Sequence, residues 1–148
     1  MLGGHHRTVV VNVPSIKVFI ADRDTAGAEA LVKELNQKSK VASWVAVDVA
    51  DWDSQEKAFS QAVAEFGRID YVYPIAGIGE RRWLPNNPTA KGFEKPDLTV
   101  LDVDLNGVLY TVGLAVQQFR RQEVGANGFR GKSKLTRRGP DSKVDRRV

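Results

Sequence analysis

The 148 residues contain no cysteine, one methionine and two histidines. Without cysteine there are no disulfides and no thiolate metal sites, and a reducing cytoplasm is the default expectation. His5 and His6 are adjacent, so in an extended chain they point to opposite sides; with no acidic cluster beside them, no metal site is expected. The most apolar segment, Val100 to Val116, carries Asp102, Asp104 and Asn106 and reads as too polar for a membrane span. The opening "MLGGHHRTVV" lacks the basic and apolar regions of a secretion signal, so none is expected.

Charge is unevenly spread. Residues 1–126 hold 14 Lys/Arg against 16 Asp/Glu, whereas residues 127–148 hold 8 against 2. A mildly acidic body therefore carries a basic tail, a pattern sometimes seen in nucleic-acid arms. The tail has one aromatic, Phe129, and almost no apolar residues, so charge alone supports that role and the segment 126–148 reads as disordered.

The rest of the chain has a regular rhythm. "IKVFIAD" (Ile16 to Asp22) reads as a buried strand. Asp24 or Thr25 can cap a helix with Ala28, Leu31, Val32 and Leu35 on one face. "VASWVAVDV" (Val41 to Val49) is the next strand. Asp53, with Glu56 three residues on, resembles a capping box opening a helix that Gly67 ends. "IDYVYPIAG" is a third strand, "GERRWLPNNPTAKGFEKP" a long loop, and Asp97 starts a helix to about Gln122 with Leu101, Leu105, Val108, Val112, Ala115 and Phe119 in line. Strands alternating with helices predict a parallel sheet covered by helices. The ends fit less well: "HRTVVVNVPS" can add a strand, but Pro14 stops it and no helix follows, so residues 1–15 read as irregular.

In such a sheet ligands sit at the carboxyl ends of the strands, where Asp22, Asp48 with Val49, and Ala76 with Gly77 all fall. Asp22 is placed to accept a ribose diol or to act as a turn carboxylate, and Asp48 to accept an adenine amino group or to close a turn. Gly77 and Gly79 form a G-x-G, but a phosphate cradle joins a first strand to a helix and precedes the ribose acid. Here the glycines follow the third strand, a Pro-rich loop succeeds them, and the acid lies upstream. They are not a phosphate cradle; Gly77 instead permits close approach of a flat ligand or a plain turn. Asn106 lies among apolar neighbours in the last helix, as a core amide or the holder of a water.

Together these residues resemble the short-chain dehydrogenase/reductase family over roughly residues 17–122. "VFIADRD" resembles its cofactor-selecting strand, "VAVDVAD" its adenine site, and "LDVDLNGVLYTV" the helix bearing its catalytic asparagine. "RIDYVYPIAGIGE" resembles its Asn-Asn-Ala-Gly strand with Pro74 and Ile75 in place of the asparagines, a variant most similar to fungal prostaglandin-dehydrogenase-like members. The resemblance implies a partial Rossmann-like doubly wound parallel sheet of three to four strands over residues 16–125. It implies an NAD or NADP cofactor contacted by Asp22, Arg23, Asp48, Val49, Ala76 and Gly77. NAD is favoured by Asp22, while Arg23 leaves NADP open. It further implies hydride transfer with a small alcohol or ketone, Asn106 as a catalytic residue, and a candidate homo-oligomer through the helix 97–122. Membrane and nucleic acid are not among the expected partners. The family's Gly-rich turn is absent upstream of Asp22, and no Tyr has a Lys four residues on. The chain therefore reads as a truncated or aberrant member without activity. The alternatives are a non-catalytic fragment docking on a full-length relative through its long helix, or a basic-tailed nucleic-acid binder.

Overall fold

The hairpin at the start of the chain decides the architecture. In the computed structural model, which describes residues 7–12 and 16–135, Arg7–Asn12 form strand β1 and Lys17–Asp22 form β2. Only residues 13–16 separate them. A parallel connection needs a crossover of a dozen residues or more, so so short a link returns the chain antiparallel to itself. β1 pairs antiparallel with β2, Arg7 opposite Asp22 and Asn12 opposite Lys17.

The remaining strands follow the alternating pattern. Helix α1 (Thr25–Leu35) leads to β3 (Ala42–Ala46), helix α2 (Trp52–Phe66) to β4 (Tyr71–Pro74), and helix α3 (Thr99–Arg121) to β5 (Lys132–Ser133). The sheet order is β3-β2-β1-β4-β5. β2 runs parallel to β3, β4 runs parallel to β5, and β1 opposes both of its neighbours. The α/β class and four co-directional strands match expectation; the reversed central strand does not. It also corrects the reading of residues 1–15 as irregular, since six of them form β1. His5, His6 and Pro14 lie outside the described residues.

Local chemistry fixes the helix ends. The Asp24 side chain caps α1 by accepting the Gly27 N–H. α2 is capped by Asp51, which accepts the Asp53 N–H, so the cap lies two residues before the expected Asp53. Gly67 ends α2 in the left-handed region at φ 77°, which a side chain rarely tolerates.

The core lies between the sheet and the α2/α3 layer: Phe19, Ala21, Val47, Val49, Ala58, Ala62, Ile69, Val72, Val103 and Ala115. Ile69 and Val72 are fully buried, and such side chains each contribute about 1.5–3 kcal/mol. α1 lies on the opposite side over β2 and β3, with Ala28 its one buried residue. Leu31 and Val32 are half-buried and Leu35 is exposed, so the expected four-residue stripe is only partly covered.

α3 also corrects its expected face. Its second turn, Asp102–Gly107, is π-helical. Leu101, Leu105 and Leu109 are 50%, 51% and 59% exposed, while Val103, Gly107, Thr111, Leu114 and Ala115 are buried. The cause is room: a Cβ on Gly107 would stand 2.9 Å from the Val49 carbonyl oxygen. The helix seats Gly107 and its buried neighbours inward and leaves Leu101, Leu105 and Leu109 outside. By length and composition α3 is apolar enough to cross a membrane, contrary to the first reading of Val100–Val116; here it packs against β4, β5 and α2.

The segment after α3 is likewise more ordered than expected. Gln122 is buried and its amide accepts the Ile69 N–H and donates to the Ile69 and Arg130 carbonyl oxygens. Gly128 turns the chain at φ 80°. The Lys132 N–H then donates to the Asp70 oxygen, and the Lys134 N–H to that of Val72. Residues 126–135 are thus tied to the sheet edge rather than disordered; residues 136–148 lie outside the described part.

Candidate functional site

β2, β3 and β4 end at one edge, which gathers the residues singled out from sequence. Asp22 closes β2 but is 1% exposed, and its carboxylate accepts the Asp24 N–H at 2.8 Å. The β1 backbone at Arg7 lies opposite it. The acid thus faces the protein rather than a solvent cleft, and a ribose diol has no access to it here. Arg23, the next residue, is exposed.

Asp48 is exposed and closes a turn: its carboxylate accepts the Ala50 N–H at 3.0 Å, and its own N–H donates to the Ser54 hydroxyl. Val49 is buried and its carbonyl accepts the Gln55 amide at 2.6 Å. Val49 and Ala76 line one shallow cleft with Pro74, Val103, Gly107 and Thr111. Gly77 is approached closely, but by the protein itself. Asp104 accepts the Ile78 N–H at 2.8 Å, and a Cβ on Gly77 would stand 3.3 Å from the same oxygen. Asn106, in the π-helical turn, donates to the Asp102 carboxylate at 3.1 Å.

Three residues that sequence reasoning passed over hold this edge together. Asp104 joins α3 to the end of β4. Gln55 and Thr111 form a buried pair: the Gln55 amide donates to the Val49 and Gly107 carbonyl oxygens, and the Thr111 hydroxyl donates to Gln55 Oε1 at 2.7 Å. A polar glutamine inside an otherwise apolar α2 stripe was the available signal, since a buried amide must find partners.

Co-directional strands joined through helices, with their carboxyl ends at one edge, define the Rossmann-like α/β class. The model of short chain dehydrogenases matches residues 10–126, and the chain belongs to that family. It is 33% identical over 109 residues to the short-chain dehydrogenase/reductase prx6 of Penicillium rubens, covering 70% of this chain and 36% of that protein. It is 30% identical to ascJ of Acremonium egyptiacum, covering 69% and 37%. Among solved structures it is similar to a 3-ketoacyl-(acyl-carrier-protein) reductase from Brucella melitensis in complex with NADH. The TM-score is 0.55 and the identity 28%, over 70% of this chain and 39% of that one. The chain thus spans well under half the length of these relatives.

The family uses NAD(P), and the residues present do not fit such a dinucleotide. A pyrophosphate is held by backbone N–H groups where a strand passes through a glycine turn into a helix N-terminus. The strand between β2 and β4 is here reversed, so its carboxyl end lies at the opposite edge and runs into residues 13–16.

Proposed function

We propose that this chain keeps the short-chain dehydrogenase/reductase framework without carrying out hydride transfer by itself. The observation that carries this is the reversal of β1, which removes the strand–glycine turn–helix unit from the edge where Asp22, Asp48 and Gly77 gather. Burial of Asp22 supports it, as does the sequence: none of Tyr71, Tyr73 or Tyr110 is followed four residues later by lysine. A general acid and its activating lysine together contribute orders of magnitude to such a reaction. In this reading Asp48, Val49, Ala76 and Gly77 are the remains of an adenosine side, and Asn106 marks the former catalytic helix, now bonded within it. The parent reaction interconverts a small alcohol and ketone with NAD(H) or NADP(H), the acid at Asp22 favouring NAD. Incubating the purified chain with NADH or NADPH and a ketone panel gives no absorbance loss at the nicotinamide band; turnover above the no-enzyme rate would sink the proposal.

A second reading has its own observation. Leu101, Leu105 and Leu109 are exposed along one side of α3 at spacings of about one helical turn, with Val116 about two turns further on. This supports association through α3, with a second copy or with a longer relative, as what the framework does in place of catalysis.

A further inference from the structure

β4 divides its side chains between two faces. Val72 and Pro74 are buried toward the α2/α3 layer, while Tyr71 and Tyr73 project half-buried from the other side. Their rings lie near-parallel at 18° with centroids 6.4 Å apart. Phe129 meets Tyr71 edge-on at 5.4 Å, and Lys132 Nζ lies 4.2 Å from the centre of the Phe129 ring. Three rings thus form a row across the β4–β5 edge. Among the described residues no helix packs on this side of β4 and β5, because α1 covers β2 and β3 and the other helices lie on the opposite face.

The rim of this row is cationic. Lys132 and Lys134 are exposed along β5 and its continuation. The acid of β4's approach, Asp70, is 1% exposed and paired with Arg68 at 2.9 Å, so it does not offset them. The chain running on from β5 is basic, residues 134–148 holding six Lys/Arg against two Asp/Glu. Rings that a flat base can stack on, bordered by cations that meet a phosphate backbone, are the two requirements of single-strand binding. A duplex hides its base faces, and an acidic peptide uses the cations alone.

We propose that the Tyr71–Tyr73 face, buttressed by Phe129 and with Lys132 and Lys134 at its rim, binds single-stranded nucleic acid, bases over the tyrosine rings and backbone along β5. The test is fluorescence anisotropy of the full chain with a labelled oligothymidylate of about 12 nucleotides, titrated over a salt series. The expected result is saturable binding that weakens with salt, a loss of about tenfold in Tyr71→Leu and in Tyr73→Leu, and a shallower salt slope in Lys132→Gln and in Lys134→Gln. Replacing Arg137, Arg138, Arg146 and Arg147 by Gln is expected to leave the tyrosine dependence intact. No binding at low salt overturns the proposal. So does binding indifferent to both tyrosines, or competition by polyglutamate as strong as by unlabelled oligonucleotide. Should the leucine variants lose the native circular-dichroism spectrum, unchanged affinity and salt slope in both lysine variants overturn it instead.

Discussion

Gln55 is the residue on which the carboxyl edge depends most. Its amide bridges the Val49 and Gly107 carbonyl oxygens at 2.6 and 2.9 Å and accepts the Thr111 hydroxyl. Gln55→Leu preserves bulk but leaves the buried Val49 carbonyl without its amide donor, at a cost of about 1–3 kcal/mol. The Thr111 hydroxyl keeps the Gly107 carbonyl oxygen as an acceptor at 2.8 Å. Urea denaturation of this variant is expected to show a loss of at least about 1 kcal/mol with an unchanged m-value. Asp97 provides a second case, set by charge. Its carboxyl is held below the usual carboxylate range first by the Thr99 hydroxyl, then by the Thr99 N–H, with Arg81 contributing less. A depressed carboxylate stabilises the fold above its unfolded-state pKa, and that contribution is lost as pH falls through the folded value. Thr99→Val removes the largest cause, so NMR titration is expected to show the Asp97 carboxyl moving up in pH. An unmoved midpoint would assign the shift to the backbone alone. At this scale the residue types were legible but their surroundings were not: Asp22 could be read as a strand-end acid, whereas its burial to 1% exposure is set by the folded neighbours around it.

The elements were legible as elements and less so as faces. α1, α2 and α3 fall where periodicity places them, with α2 capped by Asp51 instead of Asp53. Yet Leu101, Leu105 and Leu109 of α3 lie outside while Gly107 faces the sheet. Hydrophobicity ranks Leu101 and Leu105 as core, whereas the Val49 backbone in the way admits only Gly107 and its small neighbours. A pattern of apolar positions does not encode the width of the gap that the helix must enter. The consequence is the exposed series Leu101, Leu105, Leu109 and Val116. If this series is an interface, Leu105→Glu with Leu109→Glu converts the chain to a monomer in light scattering, with little change in melting temperature because both residues are already half exposed. A wild-type chain that is itself monomeric across the micromolar range removes the association reading.

For the whole molecule the governing fact is the direction of one strand. The strand–helix rhythm from Lys17 onward announces the co-directional strands, and the order β3-β2-β1-β4-β5 places β1 in the centre. Its direction is set by the four-residue link, a signal present in the sequence but weaker than the resemblance to a parallel family. Reversal moves the carboxyl end of the central strand away from Asp22 and Gly77. That change has a thermodynamic consequence independent of turnover. A ligand that binds only the folded state stabilises it, by about 2.7 kcal/mol at one hundred times its dissociation constant. For a domain of this size that is a rise of several degrees in melting temperature, at about 2–4 °C per kcal/mol. A chain that cannot seat the pyrophosphate gains none of it, so millimolar NADH, NADPH or their oxidised forms are expected to leave the thermal transition within error of the apo protein. A reproducible, saturable rise with any of the four would mean that the edge seats a dinucleotide despite the reversed strand, and the structural basis of the inactive reading would then fail even if no ketone were reduced.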